Sequence, residues 1–334
     1  TRHNLFRYIF DLCYIYGLIM NIQLLKKTYF NIVMTYMIAG LPIPAIAEDS
    51  VLISDLATIE SLARQGNAIA QYNLGVMYAA GSDVEQDNVK AFEWLNKSAS
   101  QGLAEAQYNI GVMYDQGIAV PQSHEKAFTY YSHSAKQGYS RAQYNLGNLY
   151  SKGEGVVQND ISALEHWQQA AAQNNKLAQF NLGIAYADAK GVPKDNITAF
   201  KWYKKSAEQG VAGAQFNLGV LYQQGQGVSK NNVKAAEWFE KAAKQGMAEA
   251  QFNLGFMYYK GEGVKLDYSK AAHWFESYSQ LGYQDVQNEL AKIYILSDGV
   301  HGDRVGGLAG LKRICDTGIQ KYCDMYTEWS QKTD

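Results

Sequence analysis

The chain has no excess of basic charge: among its 334 residues, 30 Lys and Arg stand against 32 Asp and Glu, for a formal net charge of -2. Without a cationic surface the main electrostatic attraction to phosphate backbones is missing, so no nucleic-acid partner is expected. Cysteine is confined to Cys13, Cys315 and Cys323, which limits the chain to a single internal disulfide. The short motifs that announce chemistry are lacking too. There is no His-Glu-x-x-His zinc helix, no Gly-x-Ser-x-Gly elbow and no phosphate loop. The six histidines, His3, His124, His133, His166, His273 and His301, share no ligand spacing. No catalytic residue, metal site or cofactor is therefore expected, and the chain does not read as an enzyme.

Long apolar runs are scarce as well. The stretch from Tyr29 to Gly40 is short of the roughly 20 apolar residues that a membrane span needs, and no Cys stands near Ala45 to carry a lipid. It fits a secretory signal peptide over residues 20–47, with Met20 as a start, Lys26 and Lys27 as the positive region, and Ala45-Ile46-Ala47 as the cleavage site. The mature protein would begin near Glu48 and be periplasmic or secreted, with no stable membrane insertion after cleavage. Residues 1–19 read as upstream sequence that is not native.

What the sequence does contain is a phrase repeated at a fixed interval of 36 residues, first seen as Gln71-Tyr72-Asn73-Leu74-Gly75-Val76-Met77-Tyr78. A period between 20 and 50 residues marks a solenoid, in which each copy buries its apolar face only against its neighbours. The expected fold is all-α: a right-handed α-solenoid superhelix of seven helix-turn-helix repeats over 67–318, with half-repeat caps at 51–66 and 319–334. In the copy 211–246, Ala214, Leu218, Leu221 and Tyr222 recur at helical spacing, which predicts helix A over 212–224. A turn rich in glycine follows, and helix B is predicted over 233–244.

Small residues recur where helices must approach. The glycines Gly75, Gly111, Gly147, Gly183, Gly219 and Gly255 lie inside helix A, where Gly costs about 1 kcal/mol relative to Ala. A cost paid in copy after copy implies that helix B crosses there. The column Trp94, Tyr130, His166, Trp202, Trp238 and Trp274 on helix B would fill the wider gaps.

These residues resemble the Sel1-like repeats, relatives of the tetratricopeptide repeat. In the sixth copy the resemblance is carried by Ala248-Glu249-Ala250, Leu254-Gly255, Tyr258, the turn Gly261-Glu262-Gly263 and Lys270-Ala271-Ala272-His273-Trp274. Local departures include Asp83 and Ala119 in place of the second turn glycine, and Asn174 and Ala189 where other copies have Gly. The resemblance implies an exported bacterial interaction scaffold that takes a protein or peptide on a concave face lined by helix A. Some cysteine-rich relatives bind penicillin, which makes a cell-wall or β-lactam-related activity the alternative; a single cysteine pair weakens it.

Positions that change from copy to copy on helix A are free to serve a partner. One such column is Val76, Val112, Asn148, Ile184, Val220, Phe256 and Lys292. An aromatic column, Tyr72, Tyr108, Tyr144, Phe180, Phe216 and Phe252, lies beside it and would line the same groove or pack between repeats. The column Asn73, Asn109, Asn145, Asn181, Asn217 and Asn253 has two readings. Its carboxamides would pair with an extended peptide, or each would bond backbone in the adjoining repeat.

Cys315 and Cys323 map, three periods back, onto Ala207 and Gln215. Those columns should face each other across a turn, so a disulfide there is geometrically sound and suits an exported protein; two separate buried thiols are the alternative.

Overall fold

A computed structural model describes residues 55–280, 290–293, 304–316 and 318–331. The expected signal peptide and upstream segment, residues 51–54 of the N-terminal cap and much of the seventh copy lie outside these. Every regular element among the described residues is a helix. The chain forms two compact units that divide between Ser123 and His124.

The first unit holds α1 (Leu56–Arg64), α2 (Ala68–Ala80), α3 (Asn88–Ser100) and α4 (Ala104–Gln116). In the second, α5 (His124–Lys136), α6 (Ser140–Lys152), α7 (Asp160–Ala172) and α8 (Lys176–Asp188) are followed by α9 (Asn196–Glu208), α10 (Ala212–Gln224) and α11 (Asn232–Lys244). Then come α12 (Ala248–Lys260), α13 (Tyr268–Gln280), a helical stretch at 290–293, α14 (Arg304–Cys315) and α15 (Gln320–Gln331). Within each unit, consecutive helices pack on one another in the order of the chain.

Helix ends follow from side chains present in the repeat. Asp87, Asn159, Asp195 and Asn231 sit in extended backbone ahead of α3, α7, α9 and α11, and each accepts hydrogen bonds from amides of the first turn. Helix A ends instead on a left-handed residue. That residue is Gly225 after α10, with φ 72°, and Ala189 after α8, with φ 59°. A non-glycine residue in this conformation costs about 1–2 kcal/mol. Glycine recovers that cost but leaves about 0.4–1 kcal/mol more unfolded-chain entropy to be lost. Ala189→Gly is therefore expected to stabilise by about 0.5–1 kcal/mol, visible as a raised urea midpoint.

The helix A glycines have the predicted role with a different partner column. A Cβ on Gly75 would lie 2.6 Å from Leu95 Cγ, one on Gly147 2.6 Å from Trp167 Cδ1, and one on Gly219 2.7 Å from Phe239 Cε1. Helix B of the same copy thus presses Leu95, Trp167, Tyr203, Phe239 and Phe275 onto bare helix A backbone. The neighbouring column that begins at Trp94 lies away from the glycines, with Trp94, Trp202, Trp238 and Trp274 packed against the edges of the cores. Its tryptophans are half-buried, and Lys97, Lys205 and Lys241 stand 4.0, 4.5 and 3.8 Å over Trp94, Trp202 and Trp238.

Repeats are also joined by a ladder of glutamines. Gln71, Gln143 and Gln215 are buried, and each donates through Nε2 to the carbonyl of a residue eight positions earlier, Ala63, Ala135 and Ala207. Each also accepts at Oε1 from a glutamine thirty positions later, Gln101, Gln173 and Gln245, at 2.7–2.8 Å. At Gln251 the buried Oε1 has no partner among the described residues. The sequence explains the break, because position 281 holds Leu, which has no donor.

Cys315 and Cys323 form a disulfide with Cα atoms 4.5 Å apart. It stands in the columns of Ala207 and Gln215, so a covalent bond takes the place of a glutamine rung and ties α14 to α15. Closing so short a loop stabilises by about 2–3 kcal/mol. Replacing both cysteines by Ala should lower the unfolding midpoint of the C-terminal helices accordingly, read by hydrogen exchange of α15.

Candidate functional site

The residues expected to line a binding face fall into two groups. Tyr72 and Val76 are buried in the first unit, and Asn109 is also buried there. Tyr144, Phe180, Phe216 and Phe252 are half-buried in the second unit and pack against its core. Ring contacts account for their constancy: Phe180 lies 6.0 Å from Tyr203, Phe216 5.6 Å from Phe239 and Phe252 6.0 Å from Phe275. Phe180 also closes on α10, where a Cβ on Gly213 would stand 2.9 Å from its Cζ. The aromatic column is thus engaged in packing within and between repeats. Ile184 and Val220, and Phe256 further along, pack partly against the same cores.

In the asparagine column, two members bond side chains. Asn181 Nδ2 donates to Asn148 Oδ1 at 2.9 Å, and Asn217 bonds the Tyr203 hydroxyl. Burial, with Asp188 nearby adding to it, pushes that hydroxyl far above its ordinary pKa, so it stays neutral. The glutamines bond the backbone of the adjoining copy. Their constancy at the same 36-residue interval was the signal available for them.

Asn148 is the departure that matters. It replaces the Val of copies one, two and five, and it accepts from two donors at once: Trp167 Nε1 at 3.1 Å and Asn181. These residues line a cavity of about 180 Å³ together with Ser151, Lys152, Ile184, Ala185 and Lys190. Three of the side chains singled out in the sequence, Asn148, Asn181 and Ile184, are therefore brought together in one place on α6 and α8. Lys152 stands at another of the helix A positions that vary from copy to copy; Trp167 and Lys190 are the site residues that sequence reasoning missed.

No group of three or more His, Cys, Asp or Glu is placed to hold a metal among the described residues. His166 is a packing residue: it stacks on Tyr150 at 5.5 Å, and burial pushes its imidazole below the ordinary value against opposing contributions from Gln169 and Glu165. No described helix is long and apolar enough to cross a membrane.

All-helical units of paired helices, with glycine crossings and side-chain rungs at one period, define a repeat solenoid. The chain belongs to the Sel1 repeat family: the Sel1 repeat model matches residues 68–103, 104–139, 140–175, 176–211, 212–247 and 248–283. The expected seventh copy is not among these. The chain is similar to a protective antigen present in uropathogenic Escherichia coli strains that displays an SLR fold, at 32% identity and a TM-score of 0.73, over 84% of this chain and 60% of that one. It thus spans little more than half of the antigen's length. It is also similar to a Sel1 repeat protein from Oxalobacter formigenes, at 31% identity and a TM-score of 0.59, over 64% of this chain and 86% of that one. No curated protein matches. Sel1 repeat proteins are generally protein-interaction scaffolds, and their fold is typically non-catalytic.

Proposed function

We propose that this chain is an exported bacterial scaffold, periplasmic or secreted, that binds a peptide or protein segment on the helix A face of its second unit. The observation that carries this reading is the division of labour along the repeat. Glutamine, glycine and alanine columns hold the scaffold in copy after copy, while the column of Asn148, Ile184, Val220 and Phe256 changes its chemistry at each step, and Asn148 and Ile184 line a recess together with Lys152, Asn181 and Lys190. Export is supported by the pattern of residues 20–47, and the similarity to a protective antigen is in keeping with it.

The test is capture from bacterial envelope extract with the full chain and with a variant carrying Asn148→Val and Lys190→Gln. A specific partner retained by the first and lost by the second is the expected result; equal capture by both would overturn the placement of the binding face. The exported protein should begin near Glu48, and an N-terminus well upstream of that residue would remove the signal-peptide argument. Turnover of a chromogenic β-lactam by the purified chain would replace the scaffold reading with the alternative activity.

A further inference from the structure

We infer that the outer face of α9 and α11 is a self-association surface, on which a second copy of this chain docks with its α9 over α11 and its α11 over α9. This goes beyond the proposed scaffold function and uses the helix B side of the stack, away from Asn148 and its recess.

The argument begins with the charges that helix B leaves in solvent. In α9, Ile197, Lys201, Lys204 and Glu208 recur at helical spacing and share one face. In α11 the same columns hold Val233, Glu237, Glu240 and Lys244. Every charged column is therefore inverted in sign between the two helices: Lys201 against Glu237, Lys204 against Glu240, and Glu208 against Lys244. The apolar residue that opens each stripe is more than half exposed, at 57% for Ile197 and 55% for Val233. Both helices pack on α10 and bury their opposite sides in one core, which leaves the two stripes turned outward on adjacent copies.

Nothing within the chain requires this inversion. Helix stabilisation accounts for one of the helices only: Glu240 and Lys244, 2.7 Å apart, have the favourable order with Glu first, whereas Lys204 and Glu208, 3.8 Å apart, have the reverse. The stripes do not neutralise each other, because among the described residues no ion pair joins α9 to α11. The repeat does not need the pattern either, since the same columns read Glu93, Asn96 and Ser100 in copy one and Glu165, Gln168 and Ala172 in copy three.

A two-fold axis parallel to the helices gives every one of these charges a partner. Rotation about such an axis preserves helix direction, so α9 of one copy lies over α11 of the other with equal columns at equal height. Lys201 then faces Glu237 of the second copy, Lys204 and Glu208 meet Glu240 and Lys244 as a square of alternating sign, and Ile197 meets Val233. Symmetry forms each contact twice. Lys205 and Lys241, which are alike in charge, fold back over Trp202 and Trp238 at 4.5 and 3.8 Å. Exposed pairs of this kind set register more than affinity, and two helices make a patch below about 1,200 Å², so the dimer should be weak, with Kd on the order of 1–100 μM.

The experiment is sedimentation velocity of the full chain at concentrations from about 5 to 500 μM. A reversible dimer is expected, with a Kd that rises at least about tenfold between roughly 0.03 M and 0.5 M salt. Lys201→Glu with Lys204→Glu should weaken it at least about a hundredfold, because like charges then face each other; Glu237→Lys with Glu240→Lys should do the same. An equimolar mixture of these two doubly substituted chains should dimerise as well as the original, since every column of the mixed pair is again opposite in sign. The substituted side chains all lie at the surface, and far-ultraviolet circular dichroism should show both variants folded. A chain that stays monomeric throughout at low salt, substitutions that leave the dimer intact, or a mixture that stays monomeric would each overturn the assignment. So would a monomer that captures a different protein from envelope extract through these residues. Binding on the helix A face is read separately with Asn148→Val and Lys190→Gln, so failure here leaves the scaffold function standing.

Discussion

Gly227→Val should lower the unfolding free energy by about 3–6 kcal/mol, as the sum of backbone strain and a forced contact. Gly227 has φ +69°, and a Cβ there would lie 2.1 Å from the carbonyl oxygen of Asn196, 2.4 Å from its carbon and 2.8 Å from the amide nitrogen of Ile197. All three atoms belong to the backbone at the start of α9. No rotamer change relieves such a contact, so the turn after α10 must part from helix B of the preceding copy. Copy two carries Ala119 in this column, with φ 60°, so a β-branched side chain makes the sharper test. Gly246→Ala is the control. Its φ is +85°, yet nothing lies within 4 Å of an added Cβ, which leaves only the conformational cost of about 1–2 kcal/mol. Urea unfolding followed by far-ultraviolet circular dichroism separates the two; equal losses would mean that the approach to α9 carries no energetic weight.

Phe239→Ala should cost about 3–5 kcal/mol, the range for truncating a buried aromatic residue. Phe239 is fully buried, packs on Phe216 and rests on the bare backbone at Gly219. Gly219→Ala is the informative companion. It gains about 1 kcal/mol of helix propensity and loses about 1–3 kcal/mol by crowding a ring that has nowhere to go. In the double variant the new methyl enters the space the ring has left, so the combined loss should fall short of the sum. Strict additivity in that cycle would show that the glycine column exists for some reason other than the helix B aromatic.

How far the sequence discloses this molecule depends on the distance over which an interaction acts. Helix A of the copy beginning at Val211 was expected over 212–224 and is found as Ala212–Gln224; helix B was expected from Val233 and begins at Asn232. Both follow from local spacing and capping. The need for glycine at the crossing was equally legible, because its propensity cost recurs at every copy. Its partner was not: Trp238 and Phe239 are adjacent in sequence, and only three-dimensional geometry decides which one faces helix A and which lies under a lysine. Likewise, local spacing does not show that Gln215 meets Gln245, since that bond spans thirty residues, from the first turn of helix A to the residue that ends helix B. The candidate site was half visible. Asn148 was legible as one of the helix A positions that vary from copy to copy, but Trp167, which donates to it, was hidden in a column of ordinary core residues.

The glutamine rungs also bear on how such a chain changes length over generations. Each rung joins a residue to one eight positions before it, in the preceding copy, and to one thirty positions after it, in its own copy. Excise or duplicate a whole 36-residue segment from the interior, and the severed rungs meet the same residue types at the seam. A shift of register within the helices instead leaves buried amides facing nothing, a penalty of about 1–3 kcal/mol for each stranded group. A ladder of buried amides thus favours length changes by whole copies or in the exposed turns between helices. At Cys315 and Cys323 a covalent bond stands in the place of a rung, and it needs no matching glutamine thirty residues further on.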